Sequence, residues 1–373
     1  MDLTKHLSRH GLSTADLLVW AFIPFREDGF FGDWYDWQTT RRELDEVFRA
    51  LGLDWRWQPV TLKKLPEIVE NVLAGAPGRV PLVLNYCDGD EKNGFPGLSV
   101  VLSLESAGIA SSGADSFFYD VSSSKIRMKQ MFEEAGVPTA PFAVLDDPGK
   151  DVAGLCERLG TPLIVKPSTG AASWGLSLQS VVATDEAIDA QYKRLKAGMH
   201  GQDFSESGVY VERYVDGPEF TVFLTGSHGF PENRHVYPPL ERVINPRLPA
   251  GERFLSHDRY WQKFGEEPPL PPGEHLYINQ LAPAEKGEML QNLAWQAHCA
   301  VRGKGYSRVD IRADAASGQP YVLEVNANCS LSSPEDDTSV GNILRFANLP
   351  FSGVIAEILA DALQRHFSHQ SPS

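Results

Sequence analysis

Apolar residues along this chain fall into two rhythms. Leu17 to Phe25 and Pro81 to Tyr86 are short apolar runs of strand length, while Thr39 to Leu51 and Leu98 to Ala107 read as helices, the second ending before Gly108. Strand and helix signals thus take turns over residues 1 to about 120, which predicts an open α/β unit with a mainly parallel sheet. In the next stretch, Ser122 to Ser124 can cap a helix whose apolar Met128, Met131, Phe132 and Ala135 recur at i, i+3, i+4 and i+7. Gly136 stops that helix and Pro138 bars its continuation. A strand Pro162 to Lys166, a Gly-rich loop, a strand Leu176 to Val182 and a helix Asp185 to Lys196 follow, then strands Gly208 to Tyr214 and Glu219 to Leu224.

The last third opens with nine prolines from Pro231 to Pro272, which predicts irregular structure in a long functional or mobile loop. A helix Glu285 to Val301 comes next, then two strands, Tyr306 to Ala313 and Pro320 to Val325, joined by a turn at Ser317-Gly318, and a closing helix Ser352 to Arg365. The expected division is an N-terminal unit over 1–120, a central unit over 121–225 and a C-terminal unit over 226–373. No internal repeat or low-complexity segment interrupts it.

The paired strands carry polar groups that a sheet does not need. With side chains alternating, Arg308, Asp310 and Arg312 share one face, and Glu324 and Asn326 share a face of the partner strand. Carboxylates on a half-buried sheet are costly unless a cation meets them. Two carboxylates and an amide oxygen are hard ligands that suit Mg²⁺ with waters and phosphates. An Arg308–Glu324 salt bridge at a sheet edge explains the same residues, and both readings stay open at this point.

Elsewhere, Lys166 ends the run Leu163-Ile164-Val165 and precedes Ser168-Thr169-Gly170-Ala171-Ala172-Ser173-Trp174-Gly175. Small residues, hydroxyls and free backbone N–H groups are the parts of a phosphate cradle, although a flexible hairpin turn has the same composition. The lysine precedes the glycines, so this is not a Walker A loop. Glu212 and Glu219 flank an Asp216-Gly217-Pro218 break and suit either a nucleotide's base and ribose or an exposed hairpin. Trp34, Tyr35 and Trp37 lie in an Asp- and Gly-rich segment and read as a packing plug ahead of a substrate contact.

Composition narrows the partners. A net charge of -15 over 373 residues argues against nucleic acid or an anionic membrane. Cys87, Cys156, Cys299 and Cys329 are far apart and form no Cys-x-x-Cys pair, which suits a reducing compartment and neither a zinc site nor a disulfide framework. Leu17 to Phe25 is too short to span a bilayer and lacks a cleavage site. The expected setting is cytoplasmic, with small-molecule partners and a homodimer allowed.

Taken in order, "KIRMKQMFEEAGVPTAPF", "PLIVKPSTGAASWG", "VYVERYVDGPEFTV" and "YSRVDIRADAASGQPYVLEVNAN" resemble the ATP-grasp superfamily, most closely its D-alanine–D-alanine ligase group, over residues from about 80 to 360. The resemblance implies a three-domain ATP-grasp architecture, α/β at the N-terminus and α+β beyond. It implies a carboxylate–amine ligase in which ATP makes an acyl phosphate and an amine displaces phosphate. It further implies that Lys125 and Lys166 hold the α- and β-phosphates and that the Gly170 to Gly175 loop, with Ser173, closes on the transferred group. Glu212 meets the adenine amine, the backbone of Arg213 and Val215 the adenine edge, Glu219 the ribose, and Leu323 packs under the base. Asp310, Glu324 and Asn326 hold two Mg²⁺ ions, with Mn²⁺ as a substitute, while Arg308 stabilises the tetrahedral intermediate. Arg259, in "FLSHDRY", falls where the family tends to place a lysine facing the γ-phosphate.

Departures from the family cluster in the amino-acid pockets. Asn326 leads into Ala327-Asn328-Cys329-Ser330-Leu331-Ser332-Ser333-Pro334 instead of a Thr, Pro, Gly and Met-rich turn. The family's His-Gly loop reads Cys87-Asp88-Gly89 here, its Asp-Lys pair reads Ser124-Lys125, and Phe25 to Trp37 lacks the early glycine- and glutamate-bearing motif. The leading expectation is therefore a ligase of small amino-acid-like molecules for which D-alanine alone supports little turnover. Synthesis of D-alanyl-D-alanine, a non-catalytic nucleotide-binding module and a biotin-carboxylase-like activity are the alternatives.

Overall fold

A computed structural model of the protein describes residues 3–28, 37–170, 172–199, 202–263, 265 and 267–370, the last two without their side chains. The first four strands are β1 (Leu17–Pro24), β2 (Trp55–Val60), β3 (Val80–Asn85) and β4 (Ala110–Ser111), all parallel in the order β2-β1-β3-β4. β1 is buried at every position because it is central and helices cover both faces. Its odd residues Leu17, Val19, Ala21 and Ile23 face one core, shared with helices Trp37–Leu51 and Phe351–Gln370. Its even residues Leu18, Trp20 and Phe22 face another, shared with helices Leu65–Ala74 and Leu98–Ser106. β2 and the Leu65–Ala74 helix were not anticipated, since Trp55–Val60 is a half-exposed edge strand without a continuous apolar run. Trp37 is 7 % exposed and packs near the rings of Phe25 and Trp57, so it belongs to the core, whereas Trp34 and Tyr35 lie outside the described residues.

The next sheet is antiparallel, with β5 (Phe142–Val144), β6 (Leu163–Pro167), β7 (Val181–Val182) and β8 (Val209–Arg213) in the order β5-β8-β6-β7. The expected strand Leu176 to Val182 is thus mostly absent. The Ser177 N–H donates to Ser180 Oγ at 3.1 Å, and this local bond accompanies a 3₁₀ turn over Leu178–Ser180.

The largest sheet holds β9 (Glu219–Thr225), β10 (His235–Val236), β11 (Leu240–Ile244), β12 (Tyr277–Leu281), β13 (Tyr306–Ala313) and β14 (Pro320–Ala327). Its order is β12-β11-β9-β13-β14, with β10 also paired to β9, and all pairs are antiparallel. Two of these strands correct the expectation of irregular structure in the proline-rich stretch. β11 and β12 occupy proline-free gaps, between Pro239 and Pro246 and between Pro272 and Pro283, where every ladder N–H is available. At the entry to β9, Gly217 has φ +157 and a Cβ there would stand 2.1 Å from the Ala313 carbonyl, so only glycine fits.

One face of this sheet is apolar. Phe220, Val222, Leu224, Val309, Ile311, Val322 and Val325 pack under Leu290, Leu293, Ala294 and Ala297 of helix Ala284–Ala300. Burying each large side chain contributes roughly 1.5–3 kcal/mol. The opposite face carries the polar groups described next. Among the described residues no single helix is long and apolar enough to cross a membrane.

Candidate active site

The polar face depends on an irregularity in β14. Pairing runs Asp310↔Glu324 and then Ile311↔Val322, which leaves Leu323 without a cross-strand partner. Val322 and Val325 are both buried in the apolar core, three residues apart instead of two. In a regular strand Glu324, two positions after Val322, would point into that core. The bulge turns Glu324 and Asn326 to the other side, opposite Asp310 and Arg308.

There the groups interlock. Asp310 Oδ1 accepts from the Thr221 hydroxyl at 2.6 Å and from Arg308 Nε at 3.2 Å, and its Oδ2 accepts from Arg308 Nη2 at 2.9 Å and Asn326 Nδ2 at 3.1 Å. Glu324 accepts from Asn326 Nδ2 at 3.3 Å and pairs with Lys125 Nζ at 3.2 Å. The edge salt bridge between Arg308 and Glu324 is replaced by an Arg308–Asp310 pair on an internal strand. Burial works against the Arg308 charge, but Asp310, Cys329 and Glu324 together outweigh it and raise the guanidinium's pKa further.

The cationic side comes from β6 and the helix Lys125–Glu134. Lys125 begins that helix after the N-cap Ser124, its N–H donates to Ser168 O at 2.8 Å, and its Nζ donates to Gly170 O at 2.7 Å. It therefore joins the Gly-rich loop to Glu324. Lys166 Nζ pairs with Glu212 Oε1 at 2.7 Å, and Glu212 Oε2 pairs with Lys129 Nζ at 2.6 Å. Burial alone would raise the Glu212 carboxyl, yet the two lysines hold it down at about 2. Lys129 is a residue that sequence reasoning missed, because a lysine beside an apolar stripe looks like any solvent-facing helix lysine. Arg242 is a second. It lies in the proline-rich stretch and pairs with Glu219 across β9 and β11.

The segment between Glu212 and Glu219 leaves backbone groups open. The Arg213 N–H donates to Pro141 O at 2.9 Å, and Tyr214 N–H to Pro162 O at 3.0 Å. Neither proline has an N–H to return, so those two carbonyls receive no ladder bond from them. Among the described residues the Val215 N–H donates to no backbone carbonyl outside the regular ladders. Leu323 is half-buried at the bulge.

Above these strands the Gly-rich loop is held by the helix His257–Trp261. Trp261 Nε1 donates to Ala172 O at 3.0 Å, and the Trp174 ring lies 5.1 Å from the His257 ring. Ala172 and Ser173 both have positive φ, 52 and 65, so the loop stores backbone strain. Arg259 is 7 % exposed; its Nη2 donates to Glu252 at 2.7 Å, while Nε and Nη1 are buried without a partner.

The other wall of the cleft is made of loops. Gly89 and Gly97 bridge the loop after β3, and the Tyr119 hydroxyl donates to Gly89 O at 2.9 Å. Asp88 is exposed, yet desolvation by the protein around it raises its carboxyl to about 6. Beyond Asn326, Asn328 Oδ1 accepts from the Ala114 N–H at 2.9 Å and so ties this loop to the end of β4. Cys87 and Cys329 are buried, unpaired thiols, and burial pushes Cys329 up to about 12.

As a metal site the donor set is small. Among the described residues no three His, Cys, Asp or Glu side chains gather for a cation. Asp310, Glu324 and the Asn326 amide do converge, and a set this size fits Mg²⁺, whose remaining positions go to waters and phosphates. The unpaired Arg259 nitrogens and the strained loop fit a phosphate-bearing ligand equally well.

A carboxylate-bearing antiparallel sheet facing a second sheet with its lysine and Gly-rich loop defines an ATP-grasp enzyme. Residues 131–333 match the family model for the D-ala D-ala ligase C-terminus. The D-alanine–D-alanine ligase of Ectopseudomonas mendocina is 30% identical over 276 residues, 74% of this chain and 75% of that protein. That of Chromohalobacter salexigens is 28% identical over 284 residues, 76% of this chain and 77% of that protein. The structure of D-alanine–D-alanine ligase from Bacillus anthracis complexed with ATP shares the fold, with a TM-score of 0.59 at 19% identity over 95% of this chain and 99% of that one. The chain belongs to the D-alanine–D-alanine ligase family, whose members are ADP-forming ATP-grasp ligases that make C–N bonds.

Proposed function

We propose that this protein joins the carboxylate of one small amino-acid-like molecule to the amine of another through an acyl phosphate, with D-alanine the first candidate for both. The convergence of Lys125, Arg308, Asp310, Glu324 and Asn326 on one sheet face carries the reading, since a mere nucleotide binder has no use for Arg308 beside the carboxylates. When bound, ATP supplies the phosphoryl group and Mg²⁺ neutralises its charge as it is transferred. Asp310, Glu324 and Asn326 would hold the metal, two ions in our reading. Lys125 and Lys166 would hold phosphate oxygens, and Arg259 would offer its two free N–H-bearing nitrogens to the terminal phosphate. Ser173 and its loop would cover the reacting group and exclude water. Arg308 would donate to the oxyanion that develops when the amine attacks. On the base side, Arg213, Val215 and Leu323 would frame the adenine and Glu219 would meet the ribose, whereas Glu212, buried with its two oxygens facing Lys129 and Lys166, would hold those lysines in place of the adenine amine.

The named relatives, which align with three-quarters of the chain, support D-alanine and move D-alanyl-D-alanine ahead of the position that the sequence departures gave it. A second reading, with a different amino-acid partner, is favoured by one observation. The Asn328 amide oxygen is taken by the Ala114 N–H, and buried Cys329 follows it, so this turn lacks the family's glycine geometry. Phosphate release from ATP and Mg²⁺ across a panel of carboxylates, with and without amines, tests both. Release stimulated by D-alanine alone supports the first reading; release that needs another carboxylate or amine supports the second. Release with bicarbonate alone would point to a carboxylase, and no release with any pair would overturn the ligase reading.

A further inference from the structure

We propose that Lys129 is a positioning residue for nucleotide binding, acting through Glu212 on Lys166. The proposal rests on the reading that Lys166 meets the nucleotide's phosphates. The Lys129 side chain is 0% exposed and so has no path to a ligand. Its Nζ lies 2.6 Å from Glu212 Oε2 and 2.6 Å from Thr139 Oγ1, with the Phe142 ring 5.1 Å and the Tyr210 ring 5.9 Å away. Glu212 is itself 2% exposed, and its other oxygen holds Lys166, the one member of the trio with a solvent-reaching face at 14%.

Stability alone does not account for a lysine at this position. A buried ion pair is commonly no better, and often worse, than an apolar pair of the same volume. What the arrangement does provide is a division of labour between the two Glu212 oxygens. With the charge at Oε2 faced by Lys129, Lys166 is anchored through Oε1 only and keeps donors for a phosphate. Without Lys129, Oε2 would sit against aromatic rings with no donor, and Lys166 would be drawn inward to serve both oxygens. The chain of contacts also reaches the metal strand, since Thr139 Oγ1 donates to Val322 O at 3.2 Å, one residue before the unpaired Leu323 of the bulge.

The test uses Lys129→Met, Glu212→Gln and the double variant, with binding of a non-hydrolysable ATP analogue measured by calorimetry and folding by thermal unfolding. Lys129→Met should weaken binding about 10-fold, a loss typical of one charge-assisted contact. On the Glu212→Gln background the same change should alter binding less than about 2-fold, because sites acting as one unit are non-additive. The double variant should also melt above Lys129→Met, its buried unpaired carboxylate being gone. A second readout needs no nucleotide: Lys166 should react more slowly with an amine-directed acylating reagent in Lys129→Met and faster in Glu212→Gln. Unchanged analogue affinity in a folded Lys129→Met protein, or the same loss in both backgrounds, would overturn the proposal. So would Lys166 reactivity that ignores Lys129. Absence of analogue binding by the unsubstituted protein, with the reactivity pattern intact, would instead overturn the phosphate reading beneath it.

Discussion

The two walls of the cleft are built differently. On one, side chains project from paired strands: Asp310 and Thr221 are cross-strand neighbours, Glu324 and Asn326 stand opposite Asp310 and Arg308, and Lys166 leans on Glu212 from the adjacent strand. Each position is set by a ladder and held by an ion pair or a hydrogen bond. The other wall consists of the loop after β3 and the loop after β14, held by glycine bridges and by Asn328. Phosphate and metal chemistry demands lysines, arginines and hard oxygens in fixed places, so that wall tolerates little variation of residue type. Amino-acid recognition depends on loop shape and leaves more freedom. On the function proposed above, the first wall would report the class of reaction and the second the substrate.

Substitutions can break this contrast. The largest effect should follow Glu324→Gln, which keeps volume and removes a charge that would face the proposed metal. We expect a folded protein with phosphate release lowered ~1000-fold, about 4 kcal/mol of lost transition-state stabilisation. Unaltered release would remove Glu324 from the metal site. Arg259→Lys should be next, about 100-fold in kcat/KM for ATP, because a lysine keeps the charge and loses the planar fork. A full-rate Lys variant would show that the two unpaired nitrogens meet no phosphate. Glu219→Ala should raise the KM for ATP about 10-fold with kcat changed less, as loss of uniform binding does. A fall in kcat alone would assign Glu219 to the chemistry.

The smallest effect probes the loop wall. Desolvation by the protein around Asp88 raises its carboxyl pKa to about 6. If Asp88 attracts the substrate ammonium, protonation below that pH removes the attraction. We expect kcat/KM for the amine to fall by about 4-fold between pH 7 and 5.5, and Asp88→Asn to flatten that acid limb. An unchanged limb in the Asn variant would place Asp88 outside the substrate path.

Much of the strand wall was readable in the residues. The Tyr306 to Ala313 strand appears at its expected limits, and its partner extends from Pro320 past the expected Val325 to Ala327. Asp310, Glu324, Asn326, Lys125 and Arg308 do meet. The bulge at Leu323 was not legible, because alternation alone places Glu324 and Asn326 together whichever side they face. Lys129 and Arg242 escaped notice since burial of a charge is decided by tertiary partners and not by periodicity. β11 and β12 were hidden by counting prolines without weighing the gaps between them. Trp37 joins the core because the helix starts there, two residues earlier than its polar neighbours suggested.

The account's central claim is that a carboxylate is activated by phosphorylation, and oxygen transfer tests it most directly. The protein would be turned over with ATP, Mg²⁺, an amine and a carboxylate labelled with ¹⁸O in both oxygens, D-alanine first, and the released phosphate examined by ³¹P NMR. An acyl phosphate leaves a labelled oxygen on the phosphate when the amine attacks, so the account predicts phosphate carrying one ¹⁸O and an amide product. Unlabelled phosphate released alongside the same amide would contradict it.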